Sequence, residues 1–130
     1  MSREPTTWVV AVLSVGTAIG IVVFWVGWLR TTHDEPWLPA GYVEHERAFV
    51  LPDGVLAVLL GSSAVLSVVE VGLGASLALV AAGMLLFLGL IDAAYFLRTG
   101  LFARERGGCG NLALVVWVLL LAGLLVAVNA

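Results

Sequence analysis

The sequence predicts an all-α integral membrane protein, an antiparallel four-helix bundle with a short interfacial helix between its first two spans. Three observations carry that expectation. Hydrophobic residues make up 62% of the 130 positions and charged residues 12%, whereas soluble domains hold about 45–50% and about 25%. Four apolar runs each approach the ~20 residues a helix needs to cross the bilayer. Between them the connections are too short for a separate soluble domain, so the chain reads as a single transmembrane domain. The net charge of −3, with six arginines and no lysine, excludes nucleic acid as a partner because that requires a basic face. One cysteine, Cys109, leaves no intrachain disulfide.

The spans fall at about residues 8–29, 52–69, 73–97 and 111–128. A short polar lead, Met1 to Thr7, precedes the first. That first run is too long for the apolar core of a signal peptide and lacks a small-residue cleavage site after it. Trp8, Trp25 and Trp28 stand near its ends, where indole rings are expected at the membrane–water interfaces. Gly16 and Gly20 form a G-x-x-x-G, which lets two helix backbones approach closely within a chain or between chains, or is ordinary glycine usage in a span.

Arg30 to Pro52 is the longest loop and holds both histidines, His33 and His45, with Asp34, Glu35, Glu44, Glu46 and Arg47. Pro36 and Pro39 stop the first helix. The segment from Ala40 to Val50 can form a short helix, Tyr42 and Phe49 inward and Glu44 and Arg47 in water, lying along the interface. Leu51-Pro52-Asp53 opens the second span, with proline in the first turn and a carboxylate beside the positive end of the helix dipole. The second span holds Gly61-Ser-Ser and Ser67, whose hydroxyls can bond to the preceding turn. A connection as short as Glu70 to Gly74 forces the second and third spans into a hairpin. Ala75, Ala78, Ala82 and Gly83 give the third span small packing surfaces, Arg98 to Gly110 forms a connector, and Asn111 begins the fourth span. No internal repeat and no pair of broken helices is visible.

Four spans put the two longer loops on one side. They carry five arginines against Arg3 on the other, so the loops are expected to be cytoplasmic and both termini outside. Asp53, Asp92 and Asn111 then belong to one end, together with Glu46, Arg47, Tyr95, the histidines and Cys109. Asp92 is the pivotal residue, because an isolated charge in a span costs about 2.5–3.5 kcal/mol at mid-membrane and normally has a partner. By helical spacing Gly89, Asp92 and Tyr95 or Phe96 share a face, with Arg98 nearly opposite. Arg47, Asn111, the tyrosine hydroxyl or the N–H groups opening the second and fourth spans are the candidate partners. A bond from Asp92 to Asn111 would merely staple the third span to the fourth.

His33, Glu35, Glu44, His45, Glu46 and Asp53 are metal-ligand types, but their spacing matches no established zinc or iron pattern, so His33 and His45 are weak candidates and neither metal nor cofactor is expected. Asp92 within a span suits a small oligomeric proton-coupled transporter. Asp53 and Asp92 suit an acid and base pair in a membrane-embedded enzyme, although no nucleophile is recognisable and Cys109 lacks an activating neighbour. Cys109 near a span could instead carry an acyl chain. The leading expectation is a non-enzymatic protein binding a partner protein, a lipid headgroup or a small ligand at a mouth of Glu46, Asp53, Asp92, Tyr95 and Asn111. Membrane lipid is the assured neighbour, and a second copy or another membrane protein fits the glycine seam.

The segments Tyr42-Val-Glu-His-Glu-Arg-Ala-Phe49-Val-Leu-Pro-Asp53 and Phe87-Leu-Gly-Leu-Ile-Asp92-Ala-Ala-Tyr-Phe-Leu-Arg-Thr-Gly100-Leu-Phe102, with Asn111 opening the last span, resemble a family of small uncharacterised prokaryotic four-span membrane proteins over roughly the last two thirds of the chain. The resemblance implies that an L-P-D opens the second span, an acid ends the third and an asparagine begins the fourth, which groups Glu46, Asp53, Asp92 and Asn111. It implies no activity.

Overall fold

Four stretches of the computed structural model, which describes residues 5–130, are long and apolar enough to cross a membrane. They comprise α1 (Pro5–Arg30), the combined stretch of α2 (Tyr42–Arg47) and α3 (Val50–Val68), α4 (Leu73–Thr99) and α5 (Gly108–Asn129). No strand occurs among the described residues. Met1 to Glu4, including Arg3 and most of the polar lead, lie outside them.

Helices α3, α4 and α5 differ from their expected limits for local reasons. The described part of α1 runs from Pro5 to Arg30. At a rise of 1.5 Å per residue it is about 39 Å long, enough to span with some tilt. Helix α3 begins two residues before Pro52, because proline is tolerated in a first turn, where its missing N–H has no intrahelical acceptor. Helix α4 runs on to Thr99 and stops where Gly100 takes a left-handed conformation (φ 74°) and the Leu101 N–H turns back to the Phe96 carbonyl at 2.9 Å. Helix α5 starts at Gly108, three residues ahead of Asn111, since left-handed Gly107 (φ 77°) turns the chain there. A Cβ on Gly108 would overlap the Phe102 carbonyl, so the tight entry needs glycine.

Helix α1 packs on α3, α3 on α4 and α4 on α5, while α1 and α5 meet only sparsely. Leu60, Leu85, Leu121 and Leu125 are the largest wholly buried apolar side chains, and Ala78, Ala81 and Ala82 of α4 lie among them. Close backbone approach occurs at Gly74, where a Cβ would stand 2.6 Å from the Ser67 nitrogen, and at Gly89, where it would meet Leu119 and Val118. It does not occur at Gly16 or Gly20, which have no atom within 4 Å of a built Cβ. The G-x-x-x-G therefore joins no two helices within this chain. Its residues lie off the buried stripe of α1, which runs through Ala11, Ser14, Trp25 and Trp28.

A second apolar cluster, Phe96, Leu101 and Val115 with Leu38, Tyr42 and Phe102 around them, ties the loop before α2 to the end of α4 and the start of α5. Large apolar side chains on the outside of all the long helices, among them Val12, Val58, Phe87 and Leu120, are exposed. That outer surface is compatible with a multi-pass membrane protein.

Candidate functional site

The sparse meeting of α1 and α5 leaves a cavity of about 760 Å³, walled by α1, α3, α4 and α5 with α2 at its mouth. Glu46 from α2, Asp53 from the first turn of α3, Asp92 from the last third of α4 and Asn111 from the first turn of α5 all line it. Deeper walls are apolar, with Leu13, Ile21, Leu56, Leu85 and Leu88. On the α1 side the missing side chains of Gly16 and Gly20 add to the open volume.

Asp53 accepts a 2.8 Å hydrogen bond from the indole N–H of Trp25. This corrects the expectation that Trp25 and Trp28 are interfacial rings, because both are buried, at 7% and 8% exposure. Ala11, Ser14, Ala18, Ile21, Trp25 and Trp28 follow one another at alternating steps of three and four, so the indoles continue the inward stripe of α1. That stripe was the available signal for them. A buried indole also needs an acceptor for its N–H, which the Asp53 carboxylate supplies to Trp25. The N–H of Trp28 has no acceptor at hydrogen-bonding geometry, although the Tyr42 hydroxyl lies beside it.

Glu46 is only 8% exposed, and its Oε2 has no hydrogen-bond partner. His45 Nε2 stands 3.9 Å from that oxygen, beyond bonding distance. Asp92 makes no hydrogen bond or ion pair with any described residue. None of its candidate partners is bonded to it: Arg47 is exposed, and the Asn111 amide instead donates to the Leu101 carbonyl at 2.7 Å. Asn111 thus fastens the start of α5 to the turn after α4, and the staple from α4 to α5 through Asp92 does not form. The three carboxylates lie within electrostatic reach of one another. No arginine or histidine lines the cavity with them.

Tyr95 stands apart from this lining. Its ring stacks on His45 with centroids 3.7 Å apart and planes 11° from parallel, and Phe49 meets the other edge of His45 at 5.2 Å. His33 stacks on Trp28 at 4.1 Å and a ring nitrogen lies 2.9 Å from the Trp28 carbonyl. Both histidines are thereby engaged in holding the α2 region down. Among the described residues no three His, Cys, Asp or Glu side chains come close enough to hold a metal ion. Cys109 is exposed in the first turn of α5 and outside the cavity. Across the α1 and α5 seam the Trp117 indole donates to the Thr17 hydroxyl at 3.0 Å, and both residues line the cavity.

A second cavity of about 520 Å³ lies toward the other end, with Thr7, Ser14, Ser63, Ser67, Glu70 and Asn129 in its wall. Along the helices, Leu60, Ala81 and Leu121 fall between the residues that line the two cavities, and all three are at most 1% exposed.

Comparison with family models, with curated proteins and with solved structures gave no match. The resemblance carried by L-P-D, Asp92 and Asn111 therefore rests on those short motifs alone.

Proposed function

We propose that this chain is a non-enzymatic, multi-pass cell-membrane protein, an antiparallel four-helix bundle with α2 along the interface, that binds a small ligand in the cavity of Glu46, Asp53, Asp92 and Asn111. The observation that carries the reading is unused polar capacity facing open volume. Ligand sites are mostly apolar clefts of about 300–1,000 Å³ with a few convergent polar groups, and about 760 Å³ with Glu46 Oε2 and Asp92 lacking hydrogen-bond partners fits that description. A bundle selected only for stability would fill the space or pair the acids, since unpaired buried polar groups are costly. Lining a cavity, the carboxylates suit a small ligand better than the surface of a partner protein. The five arginines of the two longer connections favour a cytoplasmic position for this mouth and outside termini.

Native mass spectrometry after gentle extraction tests the reading. A bound small molecule is expected with the native chain and lost from Asp92→Asn, which preserves side-chain size and removes the charge. Identical spectra from a folded Asp92→Asn protein would overturn it. Transport of the ligand is the second reading, favoured by the cavity at the far end and by the thin layer of Leu60, Ala81 and Leu121 between the two. The same protein in liposomes separates transport from binding, because only transport produces a proton or ligand flux that Asp92→Asn abolishes.

A further inference from the structure

We infer that the ligand of this cavity is a lipophilic organic cation, an ammonium or related head on an apolar body, without an anionic group of its own. This rests on the small-ligand reading above and names the class. Three features of the cavity converge on it. Glu46, Asp53 and Asp92 line one space with no arginine or histidine in its wall, His45 lying outside that lining with Nε2 3.9 Å from Glu46 Oε2, and Glu46 Oε2 is buried with no hydrogen-bond partner. A monocation entering there would favour the ionised form of these carboxylates and be attracted to whichever of them carries the charge, in surroundings that screen charge poorly. The carboxylates do not converge tightly enough for a metal ion. They suit a broader head whose charge is spread over several ångströms.

The second feature is aromatic. Trp25, Trp28, Tyr42 and Phe49 line the same end of the cavity as the acids, with Trp25 and Trp28 edge to face at 5.3 Å and Trp28 to Tyr42 at 6.4 Å. Aromatic faces around a site attract alkylated ammonium groups through the ring quadrupole and cost such weakly hydrated heads little desolvation. The third is the apolar depth. Leu56, Leu85 and Leu88 continue the wall inward, and Gly16 and Gly20 leave room for an alkyl or aryl body along the α1 and α5 seam. A zwitterionic lipid headgroup fits less well, because its phosphate would find three carboxylates and no arginine in the lining.

The test uses the full chain in nanodiscs of phosphatidylcholine, so that zwitterionic headgroups are present in excess throughout. Dodecyltrimethylammonium and tetraphenylphosphonium are titrated against tryptophan fluorescence and by equilibrium dialysis, with empty nanodiscs subtracted. Dodecyl sulfate and dodecyl maltoside are the anionic and neutral controls. Saturable cation binding is expected, at least tenfold tighter than either control, and weakened at least tenfold in Asp92→Asn and in Glu46→Gln. Gly20→Leu, which places a side chain into open cavity volume, is expected to abolish it while the far end of the molecule is untouched. Equal binding of cation and neutral control, unchanged by Asp92→Asn, overturns the cationic class but leaves a small-ligand cavity standing. If no probe of any charge binds and Gly20→Leu changes nothing, both readings fail together. Should Asp92→Asn not fold, Glu46→Gln and Gly20→Leu decide the question.

Discussion

At the scale of the residue, the bond from Trp25 to Asp53 is the contact that most changes the account of this chain. A carboxylate at the start of α3 could be held by the helix dipole alone, but α3 has no side-chain cap bond and the indole from α1 takes the acid instead. It joins α1 to α3 across 28 positions of sequence. Trp25→Phe keeps the aromatic bulk and removes the donor, leaving Asp53 without that bond. The expected loss is about 1–3 kcal/mol, read as a lower thermal midpoint in detergent, and Asp53→Leu in the same chain should restore part of it. An unaltered midpoint in Trp25→Phe would mean that the bond contributes nothing to the fold. Asp53 and Asp92 were both legible in the sequence because carboxylates in apolar runs are conspicuous. Their partners were not, because a tryptophan near the end of a span reads equally well as an interfacial ring or as an inward donor.

At the scale of the element, the glycines divide by what a methyl group would touch. Gly74 faces the Ser67 backbone nitrogen at 2.6 Å and its hydroxyl at 2.8 Å, so Gly74→Ala must shift α4 against the end of α3. Gly20 has open space, and Gly20→Ala gains helix propensity without a clash. The former is expected to cost about 1–3 kcal/mol and the latter nothing measurable, compared by thermal unfolding in one detergent. Equal stability of the two would sink the assignment of close contact at the hairpin. Sequence spacing leaves Gly16 and Gly20 open to either reading, because G-x-x-x-G looks the same whether it meets a helix or borders a void. The existence and order of the four long helices were legible throughout, since apolar length is a local property. Their ends moved by two or three residues wherever a proline or a left-handed glycine set the boundary.

At the scale of the whole molecule, the orientation proposed from the arginines can be tested through the lone cysteine. Cys109 is exposed at the start of α5, on the connection bearing Arg104 and Arg106. A membrane-impermeant maleimide is expected to label it in inverted vesicles and to leave it unlabelled in intact cells. The opposite pattern would place the acid-rimmed mouth outside and reverse the direction from which a ligand arrives.

Composition and apolar run length by themselves determined that this chain is helical, that four stretches can cross a membrane, and that its polarity gathers near Asp53, Asp92 and Asn111. Those properties need only neighbouring residues, because the bilayer selects on length and hydrophobicity before any two helices touch. Only the tertiary structure decided that α1 and α5 meet sparsely, that the indoles of Trp25 and Trp28 turn inward, that Tyr95 is spent on His45, and that Glu46 lines one cavity with Asp53 and Asp92. A cavity is a property of which faces fail to meet, and no single helix carries that information.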